Sequence, residues 1–174
     1  MSPSDRAPDP APLESALQRA LARATRIAVL GVGDDLNPLD RPGIMAAILI
    51  HTLERPDVTV FLAGTMPENF TGGLRELRPS HVVMIDAADM GQPPGSVGLI
   101  HPAQVRGQRF STHAMPLTLV IEYIEKEIRA KVVLVGVQPD AVAPTDEEAP
   151  LSPAVMAGLQ RLKRAFSKGT RGMW

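Results

Sequence analysis

The sequence predicts a three-layer α/β domain built on a mainly parallel sheet. Three observations carry that prediction. Short apolar runs of strand length recur along the chain, segments of helical spacing separate them, and the runs end in loops of Gly, Asp and Pro. Strands alternating with helices make crossover connections, and parallel strands covered on both faces are apolar throughout rather than alternating.

The elements follow in order. Residues 1–10, rich in proline and charge, read as a mobile N-terminal tail. Leu13, Leu17 and Leu21 recur at helical spacing and predict an amphipathic helix over 12–24. Residues 26–31 form an apolar run closing on Gly31, the pattern of a buried parallel strand. A loop with Gly, Asp, Asn and Pro leads to an apolar helix over 44–53. Residues 57–62 give a second, β-branched strand, followed by a Gly-Thr and Pro-Glu-Asn loop and one or two helical turns over 70–77. Residues 81–85 give a third strand ending at Asp86, and 96–101 a fourth after a loop at 87–95. Residues 105–112 read as irregular or partly extended. Leu117, Val120, Ile121, Ile124 and Ile128 share one side of a helix predicted over 116–130. A fifth, fully apolar strand covers 131–137, and a proline- and acid-rich loop precedes the last helix, with Ser152 at the N-cap and Pro153 at N1. The domain therefore spans 11–168, with a frayed end at 169–174.

Composition narrows the function classes. At 174 residues the chain is long enough for one domain with a substantial core. A formal net charge of −1 and 3% aromatic residues argue against nucleic-acid binding, by charge and by base stacking alike. The absence of cysteine removes disulfides, thiolate metal sites and a thiol nucleophile together, so any metal must be held by His, Asp or Glu. No apolar run is long enough for membrane insertion and the N-terminus lacks a signal-peptide core, so a cytoplasmic location is expected.

Three segments carry candidate chemistry. Asp40 lies in the loop after the first strand, Asp86 follows Val82-Val83-Met84-Ile85, and His113 sits between small hydroxyl residues and Pro116. Sites in doubly wound sheets form beyond the carboxyl ends of the strands, the rim expected for Asp40, Asp86 and the Gly64-Thr65 loop. Two carboxylates and an imidazole would suit a divalent transition metal. Each residue also has a plain structural reading. Asp34, Asp35 and Asp40 are common turn formers, Asp86 or Asp89 serves as well as a loop cap, and Ser111-Thr112-His113 as well as a helix cap. His51, His81 and His101 read as structural or solvent-facing. Gly31-Val32-Gly33 invites a dinucleotide reading, but the third glycine of that fingerprint is replaced by Leu36, so a tight strand-to-loop turn is preferred. Ser111 lacks a nucleophile elbow, and no His-Glu-x-x-His helix is present.

Taken together, Gly31-Val32-Gly33 with its loop to Asp40, Ala63-Gly64-Thr65-Met66-Pro67-Glu68-Asn69, Ile85-Asp86-Ala87-Ala88-Asp89-Met90-Gly91 and Ser111-Thr112-His113-Ala114-Met115-Pro116-Leu117 resemble the nickel–iron hydrogenase maturation proteases. The HycI-type branch is the nearest likeness, and Val135-Gly136-Val137-Gln138-Pro139 and Leu151-Ser152-Pro153 fit it too. The resemblance covers residues 26–165. It implies a phosphorylase/hydrolase-like α/β/α sandwich with a twisted five-stranded sheet. It implies an endopeptidase that trims the C-terminal extension of a hydrogenase large-subunit precursor after nickel insertion. The metal-contacting and catalytic residues would be Asp40, Asp86 and His113, reading nickel carried by the substrate, for which other divalent metals can substitute. The expected partner is the large-subunit precursor, and a monomer is slightly favoured. Departures from the family pattern are Asp34 for the usual Asn, Leu39-Asp40-Arg41 for paired acids before glycine, and Leu62 for Asp or Asn. They leave a second expectation open, a divergent homologue that binds a metallated partner without cutting it.

Overall fold

The computed structural model describes residues 12–101, 109–110, 117–146 and 148–168. Six strands, β1 (Ile27–Val32), β2 (Val58–Gly64), β3 (His81–Asp89), β4 (Val97–Ile100), β5 (Arg109–Phe110) and β6 (Lys131–Val137), form the sheet. Its path runs β2-β1-β3-β6-β4, with β5 paired to β3 off that path. β1 pairs in parallel with β2 and β3, and β3 with β6, whereas β4 runs antiparallel to β6 at the edge. The helices are α1 (Leu13–Ala20), α2 (Pro42–His51), α3 (Thr71–Leu77), α4 (Leu117–Tyr123) and α5 (Pro153–Lys168). The predicted three layers and mainly parallel five-stranded core sheet are therefore present.

Side-chain parity along the strands sorts the two faces. Ile27 and Val29 of β1, Val83 and Ile85 of β3, and Val133 and Val135 of β6 point into one core with α1, α2 and α5. Ala28, Leu30, Val82, Met84, Val132 and Leu134 point into the other, against α3 and α4. β1 is buried at every residue, because helices cover both faces of it. Leu17 of α1 and Phe166 of α5 are fully buried at the first core, and burying an apolar side chain of this size contributes roughly 1.5–3 kcal/mol.

The structure corrects four boundaries and assigns one new strand. β3 does not stop at Asp86 but runs to Asp89, because Ala87 still pairs with Val137 of β6 and Ala88 and Asp89 pair with β5. Asp86 thus lies inside a strand. Residues 109–110, in a segment read as irregular or partly extended, are that short strand β5. α1 ends at Ala20, and Arg23 turns left-handed soon after, with φ at 70°. α2 begins earlier than the sequence suggests, with Pro42 at its first turn, where a missing N–H costs nothing. The helix after α4 widens into a π-helical turn over Ile124–Ile128 and closes with left-handed Arg129, whose φ is 61°. At α5 the predicted cap is present: Ser152 Oγ accepts the Val155 amide at 3.3 Å and donates to Asp140 Oδ1 at 2.9 Å. The N-terminal tail, the C-terminal end at 169–174 and the Pro116 helix start lie outside the described residues.

His81 opens β3 almost fully buried, its Nδ1 3.0 Å from Ser80 Oγ. Burial, and secondarily the charge of Lys131 in register beside it, lowers its pKa below the ordinary 6.5. The folded state therefore binds this proton less readily than the unfolded state. Its contribution to stability is complete above pH 6.5 and declines as pH falls from there toward the folded-state value. Chemical denaturation between pH 7.5 and 5.5 should show this acid-side loss, and His81→Gln should flatten it. An unchanged slope in the variant would assign the loss to other groups.

Candidate functional site

β1 ends in a glycine turn that sets the site. Gly33 has φ of 132°, open to glycine, and a Cβ there would lie 1.9 Å from the Asp40 carbonyl oxygen. The Gly33 amide donates to Gly64 O at 3.0 Å, tying the ends of β1 and β2 together. The β1–β2 register slips at this point, from Gly31 opposite Leu62 to Val32 opposite Gly64, so one extra residue of β2 bulges at the rim. The loop then folds on itself. Asp34 Oδ1 accepts the Leu36 amide at 2.9 Å and Asn37 Oδ1 the Leu39 amide at 3.1 Å, the turn-forming role anticipated for acids here. Asp40 N and Arg41 N both donate to Asn37 O at 2.9 Å.

Asp40 ends this loop with only 6% of its surface exposed. Its Oδ2 accepts the Asp34 amide at 2.9 Å, while its Oδ1 is sealed from solvent and has no hydrogen-bond partner. A buried carboxylate oxygen without a donor is costly and uncommon in native proteins. One oxygen fixed by the backbone and one left bare is the arrangement of a one-handed metal ligand with an outer hydrogen bond orienting it. Arg41 anchors the same turn, donating from Nε to Asp35 O at 2.6 Å and from Nη1 to Ala149 O at 2.9 Å, which draws the acid-rich loop toward the site.

The start of α2 brings Asp40 to the sheet. Gly43 packs so closely that a Cβ would lie 2.2 Å from Val32 O and 2.4 Å from Ile85 O. The loop carrying Asp40 therefore leads into a helix start packed on the end of β1 and on Ile85 in the middle of β3. Asp86 is fully buried. Its strand parity matches Met84 and Ala88, so it belongs to the face covered by α4. Its neighbour in β6 is Gly136, where a Cβ would crowd Ile100 at 2.4 Å and Met90 at 3.0 Å. Of the predicted trio, Asp40 thus lies against Gly33 at the end of β1, and the helix start three residues after it packs on Ile85, the residue before Asp86. His113 lies outside the described residues, and among the described residues no three His, Cys, Asp or Glu side chains gather to hold a metal.

The other acids and histidines of the sequence are accounted for differently. Asp89 is exposed; its Oδ1 accepts the Gly91 amide at 3.2 Å and Gln138 Nε2 at 3.4 Å, which makes it a loop residue. His51 and His101 are exposed. The glycines of Gly31-Val32-Gly33 serve packing: a Cβ at Gly31 would meet Ala47 at 2.6 Å and Gly43 O at 2.9 Å. This is the tight turn expected in preference to a dinucleotide loop.

Two residues of the site region carry roles that the sequence did not assign. Gln138, buried at the end of β6, accepts the Met90 amide at 2.6 Å and the Gln92 amide at 3.3 Å through Oε1. It therefore fixes the loop that leaves β3 beyond Asp86. Glu68 lies in the 3-10 turn Pro67–Phe70 after β2, and its Oε2 is sealed from solvent without a partner. No local pattern announces either role, because each depends on what surrounds the side chain across the sheet.

A family model described as hydrogenase maturation protease matches residues 45–167. The Hydrogenase 3 maturation protease of Escherichia coli K12 is 32% identical over 139 residues, covering 78% of this chain and 87% of that protein. The crystal structure of a nickel–iron hydrogenase maturation protease HycI from Thermococcus kodakarensis superposes with a TM-score of 0.78 at 29% identity, covering 90% of this chain and 99% of that one. The solution structure of the endopeptidase HycI from Escherichia coli gives a TM-score of 0.68 at 28% identity, covering 80% and 87%.

Proposed function

The chain belongs to the hydrogenase maturation protease family, and from that premise we propose that it cuts the C-terminal extension from a nickel-loaded hydrogenase large-subunit precursor. Family membership makes it an endopeptidase. The finer reading concerns how it recognises its substrate. The observation that carries it is the bare, buried Oδ1 of Asp40, held on its other side by the Asp34 amide.

In this reading nickel arrives with the substrate. Asp40, Asp86 and His113 contact it, leaving its remaining positions to groups of the precursor. When bound there, the metal would supply Lewis-acid chemistry, polarising the scissile carbonyl or lowering the pKa of a bound water. The chain's own contribution is positional. The Asp34 amide keeps Asp40 in one orientation, and Gln138 fixes the loop beyond Asp86. Among the described residues no helix is long and apolar enough to cross a membrane.

The test is mass spectrometry of a nickel-loaded large-subunit precursor incubated with the purified chain. The expected result is a precursor shortened at its C-terminus only when the chain is present. A precursor bound but left at full length would overturn proteolysis in favour of recognition without cutting.

A further inference from the structure

Asp40 Oδ1 and Glu68 Oε2 are the buried side-chain polar atoms without a hydrogen-bond partner among the described residues. They lie on the segments that follow two neighbouring strands. Gly33 and Gly64, hydrogen-bonded to each other at 3.0 Å, begin those segments. The bulge at the end of β2 and left-handed Gly64, with φ of 60°, direct the chain into Thr65, Met66 and the 3-10 turn that carries Glu68. That turn is well determined: Thr71 Oγ1 donates to Glu68 O at 2.9 Å, the Asn69 amide to Met66 O at 3.1 Å, and Phe70 meets Phe61 edge to face. A fixed backbone thus carries a side chain with one carboxylate oxygen to which no protein group donates. Such an arrangement is destabilising for the chain alone, and it resolves when a ligand brings the donor.

The ligand chemistry follows from what stands nearby. Among the described residues no three metal-ligating side chains converge, so Glu68 does not join Asp40 and Asp86 as a ligand of one ion. The same segments and the end of β2 expose apolar side chains, Leu36 at 70%, Met66 at 47% and Leu62 at 50%. An acceptor set among exposed aliphatic groups suits a polypeptide, which offers nitrogen donors and apolar side chains together. We propose that Glu68, a partly exposed residue, is a substrate-binding residue of this protease, and that its carboxylate turns from its covered position to accept a hydrogen bond from a nitrogen donor of the precursor segment entering the site. This rests on the proteolytic reading above and names a residue for recognising the peptide rather than the nickel. The donor is a main-chain amide or a cationic side chain of that segment.

The experiment measures equilibrium binding, kcat and KM of the full chain on a nickel-loaded precursor, for wild type, Glu68→Gln and Glu68→Ala, with Tm alongside. Glu68→Ala should weaken binding and raise KM about tenfold or more, with kcat within twofold and Tm no lower than wild type. Retained affinity in Glu68→Gln, which keeps a neutral acceptor, identifies an amide donor. Equal loss in both variants, abolished when basic side chains flanking the cleavage point are neutralised, identifies a cationic one. Unchanged binding and KM in Glu68→Ala overturns the proposal, as does a lowered Tm with unchanged KM, which would make Glu68 structural. Wild type that binds without cutting refutes the proteolytic reading, while the binding comparison still decides the role of Glu68.

Discussion

Asp40→Asn is expected to reduce precursor processing by roughly 10²–10⁴-fold, the range set by several kcal/mol of lost charge stabilisation at the metal-assisted centre proposed above. The substitution keeps size and keeps an oxygen to receive the Asp34 amide. It removes the negative charge that the sealed Oδ1 presents. The fold should persist, because the buried atom that changes has no protein partner to lose. Stability and activity should therefore separate. Thermal unfolding of Asp40→Asn should stay within a few degrees of wild type, or rise, while mass spectrometry shows the precursor left long. Full-rate processing by this variant would remove Asp40 from the site. Loss of both folding and activity would instead make its carboxylate a scaffold for the loop. Asp40→Ala is the harsher companion, since it also abandons the Asp34 amide at a cost of about 1–3 kcal/mol.

Gly43→Ala should be strongly damaging for a single-methyl change. The added carbon would lie 2.2 Å from Val32 O and 2.4 Å from Ile85 O. Both obstacles are main-chain atoms of central strands, which cannot rotate aside as a side chain can. α2 would have to lift from β1 and the middle of β3, separating Ala46, Ala47 and Ile50 from the core they share with Val29, Val83 and Ile85. Overpacking of this kind costs typically 1–3 kcal/mol and more where the backbone blocks relaxation. Against a total stability of about 5–15 kcal/mol, that removes a large fraction. The gain in helix propensity from glycine to alanine, about 1 kcal/mol, does not offset it. Urea denaturation should show a midpoint well below wild type. Gly72→Ala is the control: its Cβ meets nothing within 4 Å, so it should leave stability unchanged or raise it. A Gly43→Ala midpoint equal to wild type would mean that α2 is not seated against β1 and β3 as described.

Much of this architecture was legible because the hydrophobic pattern is local. The runs at β1 and β6 are apolar at nearly every position, which only a strand covered on both faces requires. Ser152-Pro153 announces α5 because capping is settled within one turn of chain. Features fixed by partners distant in sequence were not legible. β3 outruns its predicted end because β5 and β6 supply donors and acceptors for residues beyond Asp86. A four-residue run such as β4 carries no sign of its direction, which its pairing with β6 decides. The π-helical turn after α4 leaves no mark in the sequence, since its apolar spacing fits an ordinary helix equally well.

The candidate site divides in the same way. By itself the sequence determined the fold class, the family likeness and the order of the segments carrying Asp40, Asp86 and His113, because spacing and motif order are properties of the chain. Only the tertiary structure decided that Asp40 is buried with one oxygen tied and one bare, that Asp86 stands within β3 rather than after it, that Gln138 holds the following loop, and that Glu68 has a sealed, unpartnered oxygen. The physical reason is that burial and hydrogen-bond satisfaction belong to surroundings assembled from several strands at once. A carboxylate reads the same in sequence whether water, a backbone amide or nothing at all meets its oxygens.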